Sequence, residues 1–304
     1  MKFILIFVIS ISMLYGEALI QPIEEIKNIN YKKAELGQAL FFDPSLSKDK
    51  TISCASCHKT EHGWADDKRI SIGVYGRKGK INSPTVLNAI YNFKQFWNGR
   101  VDTLYQQASG PLHQSFEMDI DKDTLQERLN HNLTYKAMFK EIYHKDVIVY
   151  KDIIDAIVEF EKTLTTPDSK FDRYLKHEIS LSPLEKKGYT LFKMYGCITC
   201  HNGINVGGNS FQKIGIVINY KDCFLDRYEV TKKPFDKCVY KVPSLRNISK
   251  TAPYFHDGRA RTLKDAISIM ALHNLGFEIE EGDLKAIEAF LKTLDADLTQ
   301  KENK

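Results

Sequence analysis

Two short runs constrain this 304-residue chain more than anything else in it: Cys54-Ala55-Ser56-Cys57-His58 and Cys197-Ile198-Thr199-Cys200-His201. Each is a Cys-x-x-Cys-His pattern, the attachment signature of c-type haem. The paired thiols bond covalently to the haem vinyl groups, and the His beside the ring ligates iron from the proximal side. A redox dithiol or half of a zinc site would use the same letters. A zinc site built from both pairs would span a very long loop, whereas structural zinc closes short spacings. Two copies, each with His in the same place, make Cys54, Cys57, His58, Cys197, Cys200 and His201 the expected anchors of two covalently bound haems.

The length leaves room for two ordinary domains, and 43% hydrophobic residues suffice for a buried core. A formal charge of +4 without a basic, aromatic-laced stripe argues against nucleic acid as a partner. Residues 1–18 read as a signal peptide. Lys2 precedes an apolar run over 3–14, too short for the roughly 20 residues of a membrane span, and Gly16 and Ala18 supply a small-residue cleavage site. An uncleaved anchor is the alternative. Export to the periplasm follows from the leader. The two cysteines outside the haem runs, Cys223 and Cys238, are then expected to form a disulfide rather than stay as free thiols.

Periodicity predicts helices over 31–42, with Leu36, Ala39 and Leu40 on one face, and over 151–164. Ser182-Pro183 opens another, with Leu184, Leu191, Phe192 and Tyr195 on its apolar side and Gly196 ending it before Cys197. Closing helices are expected over 263–272 and 284–294, a frayed charged tail over 300–304, and little β structure. A second repeat follows each haem run. Pro84, Asn88, Phe96, Gly99, Arg100, Thr103 and Leu104 recur at one constant offset as Pro243, Asn247, Phe255, Gly258, Arg259, Thr262 and Leu263. This is an internal duplication. The expected fold is mainly α, with two tandem class-I cytochrome c-like haem domains over 19–166 and 167–304 and a boundary at 165–169. The stretch between haem run and repeat is longer in the second half and holds Cys223 and Cys238, as an inserted loop closed at its base by a bridge would.

Differences between the duplicated halves should carry the division of labour. Met270 stands on a helix where it could ligate the second iron opposite His201, raising that haem's potential. From position alone it is equally a core residue, and Met138 and Met194 compete. The first half has Pro111 at the matching position and offers Gln107, His113, Gln114 and Glu117 instead. Glu117 could move protons during O–O cleavage, or simply be a solvated loop carboxylate. His113, His131, His144 and His177 read as surface residues.

At these motifs the chain resembles the bacterial di-haem cytochrome c peroxidases. The resemblance covers nearly all of the mature chain. It runs through Leu36-Gly37-Gln38-Ala39-Leu40-Phe41-Phe42-Asp43-Pro44, both haem runs, the segments 82–88 and 95–100, Gly110-Pro111, Glu117-Met118, 166–172, 251–256 and 266–270. It implies that His58 is the proximal ligand of a low-potential, peroxide-reacting haem, and that His201 and Met270 are the axial pair of a high-potential haem. It places Glu117 as acid/base and Gln107 over the first iron, and Trp97 on the electron route between the haems. A calcium ion at the domain interface would be held by the Asn82 side chain and main-chain oxygens of Thr251 and Pro253. A homodimer is among the assemblies the resemblance implies. One departure stands out: where the family commonly has a His that caps the first iron at rest, this chain has Val74. Either the first haem is open without activation, or Tyr75 or His62 caps it.

The reaction implied is reduction of hydrogen peroxide to water with electrons from a small periplasmic donor protein such as cytochrome c. The rivals are a di-haem oxidase acting on a protein substrate, which would carry Tyr in place of Met270, and a non-enzymatic di-haem electron carrier or redox sensor.

Overall fold

The computed structural model of the chain describes residues 19–299. The leader expected at 1–18 and the tail at 300–304 lie outside the described residues. The fold is mainly helical. In chain order the helices are α1 (Tyr31–Phe42), α2 (Leu104–His113), α3 (Lys122–Asn130), α4 (Leu133–Tyr143), α5 (Tyr150–Thr163), α6 (Lys170–Leu175), α7 (Pro183–Met194), α8 (Arg227–Thr231), α9 (Leu263–Met270) and α10 (Glu281–Lys292). Two short strands, β1 (Phe211–Lys213) and β2 (Val239–Lys241), pair antiparallel with Phe211 opposite Lys241.

Each half opens and closes with a helix, and the two cross at a glycine. The Asn30 side chain caps α1 by accepting from the Lys33 N–H, and a Ser182/Glu185 capping box with Pro183 in the first turn starts α7. α1 lies against α5 and α7 against α10. A Cβ on Gly37 would fall 1.9 Å from the Ala156 carbonyl oxygen, and one on Gly188 would fall 1.8 Å from that of Ala286. Only glycine allows backbones to approach so closely. This crossing corrects two expected apolar positions. Ala39 and Leu184 face solvent, because the buried stripes are centred on the glycines: Ala34, Leu36, Gly37 and Leu40 in α1, and Gly188, Leu191 and Phe192 in α7. The helix expected to reach residue 272 stops at Met270 and continues as a single π turn, Ala271–Leu275.

Two hydrophobic cores result. One runs from Leu36 to Leu164 with Leu298 added, the other from Phe171 to Leu294 with Ile20 added. The repeat is visible in the backbone itself. Asn88 and Asn247 share a left-handed conformation (φ 58° and 59°), as do Phe96 and Phe255 (65° and 72°). Thr103 and Thr262 each close a capping box, on α2 and α9. The halves are tied by crossed hydrogen bonds: the Asn82 N–H donates to the His256 carbonyl (2.8 Å), and the Lys241 N–H donates to the Trp97 carbonyl (2.7 Å). Asn82 and Lys241 are repeat equivalents, and so are Trp97 and His256.

The stretch 165–169, which reads as a loop in sequence, is buried at Thr165, Thr166 and Ser169. Thr166 Oγ1 accepts from the side-chain amides of both Asn88 (2.7 Å) and Asn247 (2.9 Å), so one hydroxyl serves both halves. The longer second half holds β1, α8 and β2, and the expected disulfide is present: Cys223 and Cys238 are bonded with their Cα atoms 5.2 Å apart. The base of the insertion is the β1–β2 ladder, and the bridge lies just beyond it.

Candidate haem centres and the space between them

Both Cys-x-x-Cys-His runs fold as a short 3₁₀ turn, Cys54–Ser56 and Cys197–Thr199, which turns both thiols and the following His toward one side. All four cysteines are free. Burial pushes the Cys54 thiol up to about 12, and those of Cys57 and Cys197 up to about 11. His58 and His201 are half-buried, and burial pulls each down to about 4, leaving neutral imidazoles suited to iron. The Nδ1 atom of each is buried and makes no hydrogen bond of ordinary geometry. Nearby backbone, at Trp64 and Pro84 for His58 and at Val206 and Pro243 for His201, opposes the effect of burial only in part. Among the described residues no three His, Cys, Asp or Glu side chains converge to hold a metal ion unaided. Two thiols beside a neutral imidazole, twice, fit covalent haem.

Around the first centre, Phe41 lies 6.3 Å from the His58 ring and 5.9 Å from Trp64, which is buried. Glu117 follows α2. Burial raises its carboxyl above the ordinary range, opposed by the Arg100 guanidinium, and no described residue hydrogen-bonds it. Its charge also reaches the Cys57 thiol, so Glu117, Arg100 and Cys57 share one neighbourhood. Gln107 is half-buried on α2, its side chain without a protein hydrogen bond among the described residues. Sequence reasoning missed Arg100 as a site residue, although a signal was there. Its repeat mate Arg259 is paired with Asp257, but the first half has Asn98 in place of that aspartate, which leaves Arg100 free to face Glu117.

The loop carrying Val74 is pinned. Ile72 bridges Lys78, the Val74 N–H donates to the Glu117 carbonyl (2.9 Å), and a Cβ on Gly73 would fall 2.2 Å from the Phe116 carbonyl oxygen. Val74 is fully buried. Tyr75 is 56% exposed with the Arg77 guanidinium over its ring, and His62 faces Asp67 at the surface.

Around the second centre, Met270 is half-buried at the end of α9, in a cluster with Ile214, Tyr220, Tyr240, Phe255 and Trp97. Its competitors are elsewhere: Met194 is 72% exposed, and Met138 packs on the first core. Trp97 lies between the halves. Its indole N–H donates to the Asn82 carbonyl (2.9 Å), and its ring stands edge-on to Tyr240 and His256, each at 6.4 Å. Asn82 is buried, with its amide donating to the Lys68 carbonyl, and Thr251 touches the turn at Gly63. His113, His131, His144 and His177 are exposed, as expected.

Comparisons with known proteins agree with this arrangement. Residues 31–180 match the family described as di-haem cytochrome c peroxidase. The chain is 44% identical to cytochrome c551 peroxidase of Nitrosomonas europaea, over 91% of this chain and 84% of that one. It is 39% identical to cytochrome c551 peroxidase of Pseudomonas aeruginosa, over 92% and 85% of the two chains. In fold it is similar to a MauG-like protein associated with microbial copper homeostasis (TM-score 0.81, 24% identity, 94% and 95% of the two chains covered). The chain belongs to the di-haem cytochrome c peroxidase family, and it is a di-haem peroxidase.

Proposed function

We propose that this enzyme reduces hydrogen peroxide to water in the periplasm, drawing two electrons from a small donor protein such as cytochrome c. In this reading each half is a class-I cytochrome c-like domain, 19–166 and 167–304. Cys54, Cys57 and His58 hold the first haem, and Cys197, Cys200, His201 and Met270 hold the second. The haems supply redox-active iron, one to bind and reduce peroxide and one to hold an electron in reserve. The first distal face is open at rest. This is supported by a buried Val74 on a pinned loop and by the outward placement of Tyr75 and His62. A calcium ion held by Asn82 and the main chain of Thr251 and Pro253 would brace the seam between the halves.

The observation that carries the proposal is Glu117: a carboxyl that is desolvated, unbonded and faced by Arg100. An ionised Glu117 takes the proton from the near oxygen of peroxide and returns it to the far oxygen. The far oxygen then departs as water, a far better leaving group than hydroxide. Two further protons and two electrons turn the remaining oxygen into the second water. Arg100 keeps part of the Glu117 population ionised despite burial, and Gln107 would be able to donate a hydrogen bond to bound peroxide. Trp97, hydrogen-bonded to one half and accepting from the other, offers a polar and aromatic connection across the seam. The test is Glu117→Gln assayed for peroxide turnover with a reduced donor. A loss of about 10²–10⁴-fold is expected, and unchanged turnover would remove Glu117 from the mechanism. High-spin ferric signal in the oxidised enzyme is expected for the open face, and purely low-spin spectra would assign a cap.

A further inference from the structure

Lys241 carries a charge that the protein itself does not answer. It is 8% exposed, and no described residue hydrogen-bonds or ion-pairs with its ammonium. The other deeply buried cation, Arg246, is fully paired, with Asp172 at 2.6 Å. Burying an unpaired ammonium is costly, so a partner is to be expected.

The backbone fixes what lies beside it. Tyr240, one residue earlier on β2, packs in the cluster that contains Met270. Pro243, two residues later, has its backbone alongside the His201 ring. Between them the chain therefore passes from the Met270 cluster to the His201 ring, and Lys241 lies in that stretch, its side chain on the face of β2 opposite Tyr240. Its N–H is anchored to the Trp97 carbonyl, so this placement is rigid. The group that belongs there brings two carboxylates of its own.

We propose that the Lys241 ammonium is the counter-ion of a propionate on the second haem, and that it sets that haem's potential apart from the first. The inference rests on the reading that His201 and Met270 flank this haem. The duplication supplies the contrast. The equivalent residue in the first half is Asn82, with the same crossed backbone bond but a neutral side chain. A fixed positive charge at one haem edge favours its ferrous state. Two haems on similar scaffolds are thereby made unequal in the direction that lets the second hold an electron.

The test uses the holoenzyme with Lys241→Met, Lys241→Gln and Lys241→Arg, resolving the two haems by spectroelectrochemistry. Both neutral variants should shift the reduction equilibrium of the second haem about tenfold toward ferric, about 59 mV for one electron, and leave the first unmoved. The arginine variant should stay near the parent. The propionate bending band of the second haem in resonance Raman spectra should shift in the neutral variants alone. An unchanged second potential, or a change confined to the first haem, would overturn the proposal. If Lys241→Met loads less than two haems per chain, Lys241→Gln decides by the same criteria. A parent whose second haem lacks His/Met spectra would instead defeat the underlying ligand assignment.

Discussion

Alanine at Gly37 is the sharpest test of how this fold is held. In a helix interior the change ordinarily gains up to roughly 1 kcal/mol. Here the new methyl would lie 1.9 Å from the Ala156 oxygen, 2.6 Å from its carbonyl carbon and 2.9 Å from Phe160 Cβ, where ordinary contact begins at 3.4 Å. Two of these three atoms are backbone and cannot rotate aside, so α1 and α5 must part by roughly 1 Å or more. Parting loosens Leu36, Leu40 and Phe41 against Ile157 and Phe160, all buried. A net loss of about 2–4 kcal/mol is expected, since overpacking alone costs about 1–3. At this chain length that is a fall of roughly 5–10 °C in Tm. Circular dichroism on heating reads the fall. The Soret band should locate it, because Phe41 packs beside His58 and the first haem should be disturbed before the second. Gly188→Ala should do the reverse through Phe290. Gly282→Ala, with nothing within 4 Å, is the control and should be neutral or stabilising. A Gly37→Ala enzyme melting at or above the parent would refute the close-crossing argument.

Other predictions concern charge and cross-links. Arg246→Met strands Asp172, which is fully buried, and should cost about 3–5 kcal/mol in denaturant unfolding; replacing Asp172 by Leu as well should restore much of it. Removing the Cys223–Cys238 bridge, which closes a 15-residue separation, should cost about 3 kcal/mol, read as a lower Tm in the Cys223→Ala/Cys238→Ala enzyme. Glu161 is buried with an unbonded Oε2, and burial pushes its carboxyl up to about 8 from 4.5. The folded chain thus keeps a proton that the unfolded chain loses above pH 4.5. Stability from this group falls as pH rises from 4.5 to 8, and Glu161→Gln should flatten that slope in unfolding curves. Turnover should lose activity on the acid side at a pH above the usual glutamate range, because Glu117 must be ionised to take a proton and its carboxyl is raised. A limb at the ordinary glutamate position would contradict its burial.

Local signals in the sequence were reliable where the structure is local. The cap at Ser182, the 31–42 period and the haem runs all act over a few residues, and each corresponds to an element as built. What escaped was long-range. Gly37 and Gly188 look like weak points in helices until the partner helix, carrying Ala156 or Ala286, is in place. Thr166 looks like a linker because its two amide partners come from opposite halves. Ala39 and Leu184 look buried because apolar character says nothing about which way a glycine-centred crossing turns the stripe. At the site, Arg100 is silent alone and becomes legible only beside its repeat mate, where the loss of one acidic partner frees it. Lys241 gives no local signal either, since its burial depends on the pairing of β2 with β1 and with the Trp97 carbonyl of the first half.

The crossed bonds from Asn82 to His256 and from Lys241 to Trp97 carry an implication about ancestry. They are the two contacts that a symmetric pair of identical single-haem subunits would make across its two-fold axis. In such a pair every residue at the seam is forced to appear twice, so a lysine beside one haem means a lysine beside the other. Fusing the two copies into one chain lifts that constraint. Asn82 and Lys241, Trp97 and His256, Pro111 and Met270 are then free to diverge while the backbone contacts stay paired. The seam is a fossil of symmetry, and fusion is what allowed its two sides to become chemically unequal.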